Sequence, residues 1–303
     1  MNKVFVYFEQ NTKKIQLAIF GSLLVLAFYG AYKNGFAYYF QGLLSFADSM
    51  KLLLFPLIGL LGTFFYGVIL SKKLQFSLEY AIEGVLLALF MPVRFPIWCF
   101  VVLVILYFGL KNLWQKKLST ISLLCFIKVL SMVLSEFVFS IDYQNVIETS
   151  YPYLYGITDA FFGRGVGAYG TTSIFLILVC YAVFCSDYYY KRELPIYILG
   201  SFLLLETAYV LFVTHENLLL ALLNSHFFFA SIVLAPMKNH SPAESKYLLI
   251  FGLFVGIGSF LLYAFFDFSD GIYIVLLFAQ ILWTIYLNIQ TIKYQKTLAT
   301  QKD

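Results

Sequence analysis

The stretch FFGRGVGAYGTTS, residues 161–173, lies between long apolar runs and places glycines at 163, 165, 167 and 170 beside Arg164 and three consecutive hydroxyl residues. Glycine at this density marks backbone that turns sharply or approaches something closely. The apolar run that follows reads as a helix entering a membrane. Thr171, Thr172 or Ser173 is placed to cap its start, and its first amides make a potential anion site. A dinucleotide-binding reading fails, because no strand pattern precedes the glycines. Two readings stay open on the residues alone: a hinge with a cap, or a hinge that also holds an anion.

Working outward, the whole chain shares the apolar character of that run. Of its 303 residues, 61% are hydrophobic and 12% charged, with a mean hydropathy of +0.84. Soluble domains sit near 45–50% apolar and about 25% charged, so the reading is an all-α polytopic membrane protein in contact with the lipid bilayer. Ten spans are expected: 15–32, 51–70, 77–92, 96–114, 119–139, 172–190, 194–213, 217–235, 246–266 and 271–292. The apolar segment 36–47 reads as an outward extension of the second helix or an interfacial piece. The first span follows a polar, basic N-terminus with no small-residue cleavage site, so no cleavable signal is expected. Cys99, Cys125, Cys180 and Cys185 all fall in apolar segments and read as small buried hydrophobes. The net charge of +4 reports orientation in such a chain and gives no reason to expect nucleic acid.

Fifteen of the twenty Lys and Arg fall on one side if the N-terminus is inside, which is the positive-inside pattern. Both termini are then cytoplasmic and residues 140–171 form an external loop. That loop separates residues 1–139 from residues 172–303, with five spans in each. An odd number of spans forces the halves into opposite orientations, so a repeat must be inverted. The exits "LFMPVRFPIW" (89–98) and "LAPMKNHSP" (234–242) close the third span of each half with paired prolines, as an inverted-repeat transporter plan expects.

Ionisable residues deep in a span are functional candidates by default. Lys128 lies nine residues beyond Ser119, about 13 Å deep at 1.5 Å per residue. Glu206 and His226 reach similar depths, and Glu83 lies one to two turns inside the third span. Either Lys128 pairs with Glu206 or Glu83 and fixes packing, or these four groups line a polar pathway or cofactor pocket between the halves. Three scattered histidines make no metal site, and no soluble catalytic motif is present.

"GAYGTTSIFLILVCYAVFCSDYYYKRELP" (167–195) resembles the sixth helix of the D subunit of Rnf electron-transport complexes and the B subunit of the sodium-translocating NADH:quinone reductase. Gly167, Gly170, Thr172 and Ser173 match that family's Gly-x-x-Gly-Glu-Thr-Ser turn, with Thr171 in place of the glutamate. "EGVLLALFMPVRFPIW" (83–98) resembles its third-to-fourth helix passage, and "FFDFSDGIYIVLLFAQIL" (265–282), with Asp270 and Gly271, its last helix. The resemblance implies a urea- and ammonium-channel-like fold of two inverted five-helix repeats. It also implies flavin: FMN joined through its phosphate to a threonine just before the sixth helix. The counterpart is "YGITDAFF" (155–162), with Gly156 and Thr158. Here Tyr155 stands where the family has a small hydroxyl residue and Ile157 where it has alanine. Ala235-Pro236 stands where the family has Asp-Pro, and no Asn-Pro opens the fifth span.

The expectation is a flavin-binding subunit of an electron-transport complex in the cytoplasmic (inner) membrane, with other membrane and flavin or iron–sulfur subunits as partners. Gly156, Thr158, Arg164, Gly167, Gly170, Thr172 and Ser173 form the expected cofactor site, and Glu83, Lys128, Glu206 and His226 the polar interior. The alternative is a small-molecule or ion transporter on the same scaffold without attached flavin.

Overall fold

The computed structural model describes residues 2–40, 42, 45–71, 77–139, 156–163, 169–215, 217–237, 240–266 and 268–300. Arg164, Gly167 and the stretch 140–155 of the expected external loop lie outside the described residues.

Apolar residues on every face leave only intrahelical partners for the backbone in lipid, so helix is the structure such runs can adopt there. Helix α1 (Asn2–Ala31) continues through a π-helical turn at Tyr32–Phe36 into a last turn at Ala37–Phe40, and α2 covers Phe46–Ser71. Next come α3 (Leu78–Leu89), α4 (Ile97–Lys117) and α5 (Leu123–Val133, extended by a π-turn at Leu134–Val138). The short α6 (Ile157–Phe162) precedes α7 (Ile174–Phe184), and α8 (Glu193–Tyr209) ends in a π-turn at Val210–Thr214. The short α9 (Leu218–Ala221) precedes α10 (Ser225–Phe229, with a π-turn at Ala230–Leu234). The chain closes with α11 (Ser245–Phe266) and α12 (Gly271–Thr300). No strand occurs among the described residues.

Six of these helices are long and apolar enough to cross a membrane: α1, α2, α4, α8, α11 and α12. The other four expected spans hold shorter helices. The twelve residues of α3 reach about 18 Å, against a ~30 Å hydrocarbon core. The run expected as 172–190 is helical only to Phe184, and α10 is likewise short. Segment 36–47 is also corrected: it divides between the end of α1 and the start of α2.

Both α3 and α10 stop inside the protein. Phe90, Met91 and Phe95 after α3 are buried, as are Leu234 and Ala235 at the end of α10. Paired prolines follow each, so neither helix continues.

Packing follows a regular scheme. In the first group α1 and α2 lie on α3, α2 on α4, and α4 on α5; in the second, α7 and α8 lie on α10, α8 on α11, and α11 on α12. Between the groups, α1 packs on α7 and α5 on α12. Small residues set the closest crossings, as in membrane bundles generally. A Cβ on Gly59 of α2 would strike the carbonyl of Gly84 on α3. Gly252 and Gly256 of α11 lie equally close to Tyr197, Ile198 and Ser201 of α8.

Candidate functional site

The α5–α12 seam is zipped by polar contacts. The hydroxyls of Thr120 and Thr284 are 2.6 Å apart, the Ser122 amide donates to Gln280 Oε1 at 2.9 Å, and the Cys125 thiol donates to the Tyr273 carbonyl at 3.2 Å. Ser122 also caps α5, accepting from the Cys125 amide at 3.3 Å. At the far end of this seam the side chain of Lys128 is fully enclosed.

Among the described residues its ammonium meets a carboxylate, a carbonyl and an aromatic ring. Nζ lies 3.1 Å from Asp270 Oδ2, the residue just before α12. It donates to the Phe90 carbonyl at 3.0 Å, where α3 has ended, and sits 4.7 Å from the Tyr273 ring centre. The second carboxylate oxygen of Asp270 lies 2.9 Å from His226 Nδ1 at the start of α10, off the line of a well-formed hydrogen bond. Phe227, next to His226, stacks on Phe202 of α8 with centroids 3.8 Å apart, which locks that end of α10. A buried charge pair is held only when partners replace the lost water. Here α3, α5, α10 and α12 each contribute a group.

The glycine-rich turn closes the same break in α3. The Gly170 amide donates to Leu89 O at 2.9 Å and the Tyr169 amide to Met91 O at 3.0 Å. Three successive carbonyls are thereby used: two by the turn, and the middle one by Lys128. The Tyr169 hydroxyl donates to Ala27 O at 2.9 Å, and its carbonyl accepts from Asn34 Nδ2 at 3.1 Å. Gly30 is glycine for a clear reason: a Cβ there would run into the Tyr169 carbonyl.

The structure divides the described sequence-derived site residues among five places. Lys128 and His226 come together, joined by Asp270, which the sequence presented only as part of an Asp-Gly pair before the last helix. The pairing of Lys128 with Glu206 or Glu83, one of the two readings open from the sequence, is not among the described contacts, where Asp270 is the partner. Glu83 pairs with Lys111 of α4 instead, whose ammonium lies 4.1 Å from the Tyr80 ring, and Glu206 is buried on α8. Gly170, Thr172 and Ser173 are buried in the turn. Ser173 caps α7, accepting from the Leu176 amide at 3.3 Å, whereas the Thr171 and Thr172 hydroxyls have no partner among the described residues. Gly156 and Thr158 are exposed at the start of α6, where the Gly156 amide donates to Asp159 Oδ2 at 3.2 Å.

Cavities flank the α3 break. One of about 490 Å³ is lined by Asn34, Lys51, Arg94, Phe95 and Trp98 on the side of the α3–α4 loop. Another of about 430 Å³ reaches Glu79 and Leu86 of α3, Asp187, Tyr190 and Pro236. A small cavity of about 60 Å³ joins Glu83 and Lys111 to His240, on the loop after α10. Burial pushes the His240 imidazole down to about 4, opposed by a hydrogen bond from the ring to the Thr120 backbone and reinforced by the nearby Lys191 ammonium. Burial likewise lowers the Lys191 ammonium to about 8.

The NQR2, RnfD, RnfE family model matches residues 1–291, from α1 into the last helix. The chain belongs to this family. Its members are multi-pass membrane subunits of Rnf and Nqr electron-transport complexes, and the family is generally flavin-linked. No curated protein matches the chain. Within the matched stretch, the α3 break is built around a buried charge, and an exposed threonine at the start of α6 stands ahead of a buried, hydrogen-bonded turn.

Proposed function

We propose that the chain is the membrane-embedded, flavin-binding subunit of an electron-transport complex, with soluble redox steps carried by partner flavin or iron–sulfur subunits. The observation that carries this reading is the extent of the family match, which spans both groups of helices and the passage from α6 to α7.

The packing scheme supports two inverted five-helix repeats, α1–α5 and α7, α8, α10, α11 and α12. Every pairing named within the first set has its counterpart in the second, and the contacts between sets join like with like, first helix to first and last to last. The repeats would occupy residues 1–139 and 172–303, joined by the loop 140–171. The Lys and Arg distribution supports cytoplasmic termini in the cell's cytoplasmic membrane.

The attachment atom fits a flavin phosphate. Thr158 is exposed in the first turn of α6, so its hydroxyl is accessible to a transferase and to a phosphoester. The turn at 169–170 fits less well as a phosphate cradle, because both of its described amides are donated to α3 carbonyls. The phosphate end is therefore assigned to Thr158 and Arg164, with the buried Thr171 and Thr172 hydroxyls as the next donors along the chain. A bound flavin supplies one- and two-electron transfer. The chain's own part is to fix its position and keep water from its apolar face.

The test is expression with the native partner subunits and a flavin transferase. The purified chain should be yellow, hold its colour through acid precipitation, and lose it in Thr158→Val. A colourless chain within an otherwise assembled complex would overturn the flavin assignment and leave the transporter reading on this scaffold.

A further inference from the structure

Membrane proteins that bind monovalent cations near the bilayer midplane use interrupted helices, whose freed carbonyls and facing acidic groups replace the ion's water. The end of α3 is such an interruption. Of its three successive carbonyls, Leu89 O and Met91 O are sealed by amides of the glycine turn, which leaves Phe90 O pointing at Lys128. Opposite stands Asp270 at 3.1 Å, and the Tyr273 ring face supplies a third, π-type contact at 4.7 Å. Like any buried ion pair, this one needs further partners in place of water, and those present are of the kinds a monovalent cation takes. Among the described residues, a carbonyl, a carboxylate and a ring meet the charge, and the lysine side chain is fully buried.

We propose that this is a monovalent-cation site filled permanently by the chain's own ammonium, Lys128 Nζ. Nitrogen-to-oxygen distances of 3.0 and 3.1 Å suit a large, weakly hydrated ion, ammonium or potassium, rather than a small one, since the spacing of fixed ligands selects ion size. The wild-type chain therefore needs no free cation at this place. A neutral side chain at position 128 opens the site to one. The inference rests on the α3 break and its ligands and holds whether or not a flavin is bound.

The test uses the full-length chain in detergent at a fixed pH of about 8.5. Thermal unfolding is followed in potassium, ammonium and sodium chloride against choline chloride at constant ionic strength. Wild type should give the same midpoint in all four. Lys128→Met should be destabilised in choline and regain about 4 °C or more, saturably, in potassium or ammonium, with a smaller gain in sodium. Lys128→Met/Asp270→Asn should lose that response. Lys128→Ala, which leaves more room, should also respond to ethylammonium. If either single variant is too unstable to purify in choline, the yield of monodisperse protein after solubilisation in potassium against choline gives the same comparison. The proposal is overturned if wild type itself is stabilised by a particular cation, or if neither single variant responds to any of the four added cations. It is also overturned if Lys128→Met recovers only when the pH is lowered, with no dependence on which cation is present.

Discussion

The glycine turn and the Lys128 centre meet at the same broken helix, and they do opposite kinds of work. The turn is the most conspicuous feature of the sequence, yet its described amides are used in closing α3. Lys128 is a single charge in an apolar run, yet four elements converge on it and its acidic partner. The comparison teaches that glycine density reports how closely two backbones approach. An enclosed charge reports where the protein has arranged ligands.

The largest effect should come from removing the counter-charge. Asp270→Ala leaves the Lys128 ammonium enclosed without its carboxylate and should cost about 3–5 kcal/mol in thermal or denaturant unfolding. Adding Lys128→Met should recover part of that loss, and the double-mutant cycle measures the coupling. A cost below about 1 kcal/mol for Asp270→Ala would reduce the centre to ordinary packing.

A second contrast lies in the loop after α10, where His240 is half-buried and has no ion pair among the described residues. Its folded-state value of about 4 lies below the ordinary 6.5, so the folded protein prefers the neutral ring. Stability should be fully present above pH 6.5 and fall by about 3 kcal/mol as the pH drops to 4. His240→Gln should flatten that slope in pH-dependent unfolding.

Gly30→Ala probes the turn. Its new Cβ would press on the Tyr169 carbonyl and should cost about 2 kcal/mol through forced backbone movement. Wild-type stability in this variant would show that the turn does not seal the α3 break. The smallest change tests the turn as a ligand site. Thr172→Val removes a buried hydroxyl that has no partner among the described residues and should raise stability by about 1 kcal/mol. Loss of bound flavin in that variant, alongside unchanged unfolding, would assign the hydroxyl to the phosphate.

Much of this was legible from residue order. Composition and run length require a helical membrane protein, the prolines at 92, 96, 236 and 242 mark both helix exits, and Lys128 and His226 are identifiable as charges in apolar runs. Pairing was not legible. Counting depth along straight, full-length spans put Glu206 and Glu83 within reach of Lys128 and left Asp270 at a helix end. Because α3 and α10 stop short, their ends lie inside the protein, and the start of α12 lies beside the middle of α5. The sequence by itself determined that the chain is helical and lipid-embedded, since unpaired backbone cannot exist in hydrocarbon. Only the tertiary structure decided which carboxylate and which carbonyl hold the enclosed lysine, because that depends on where broken helices meet.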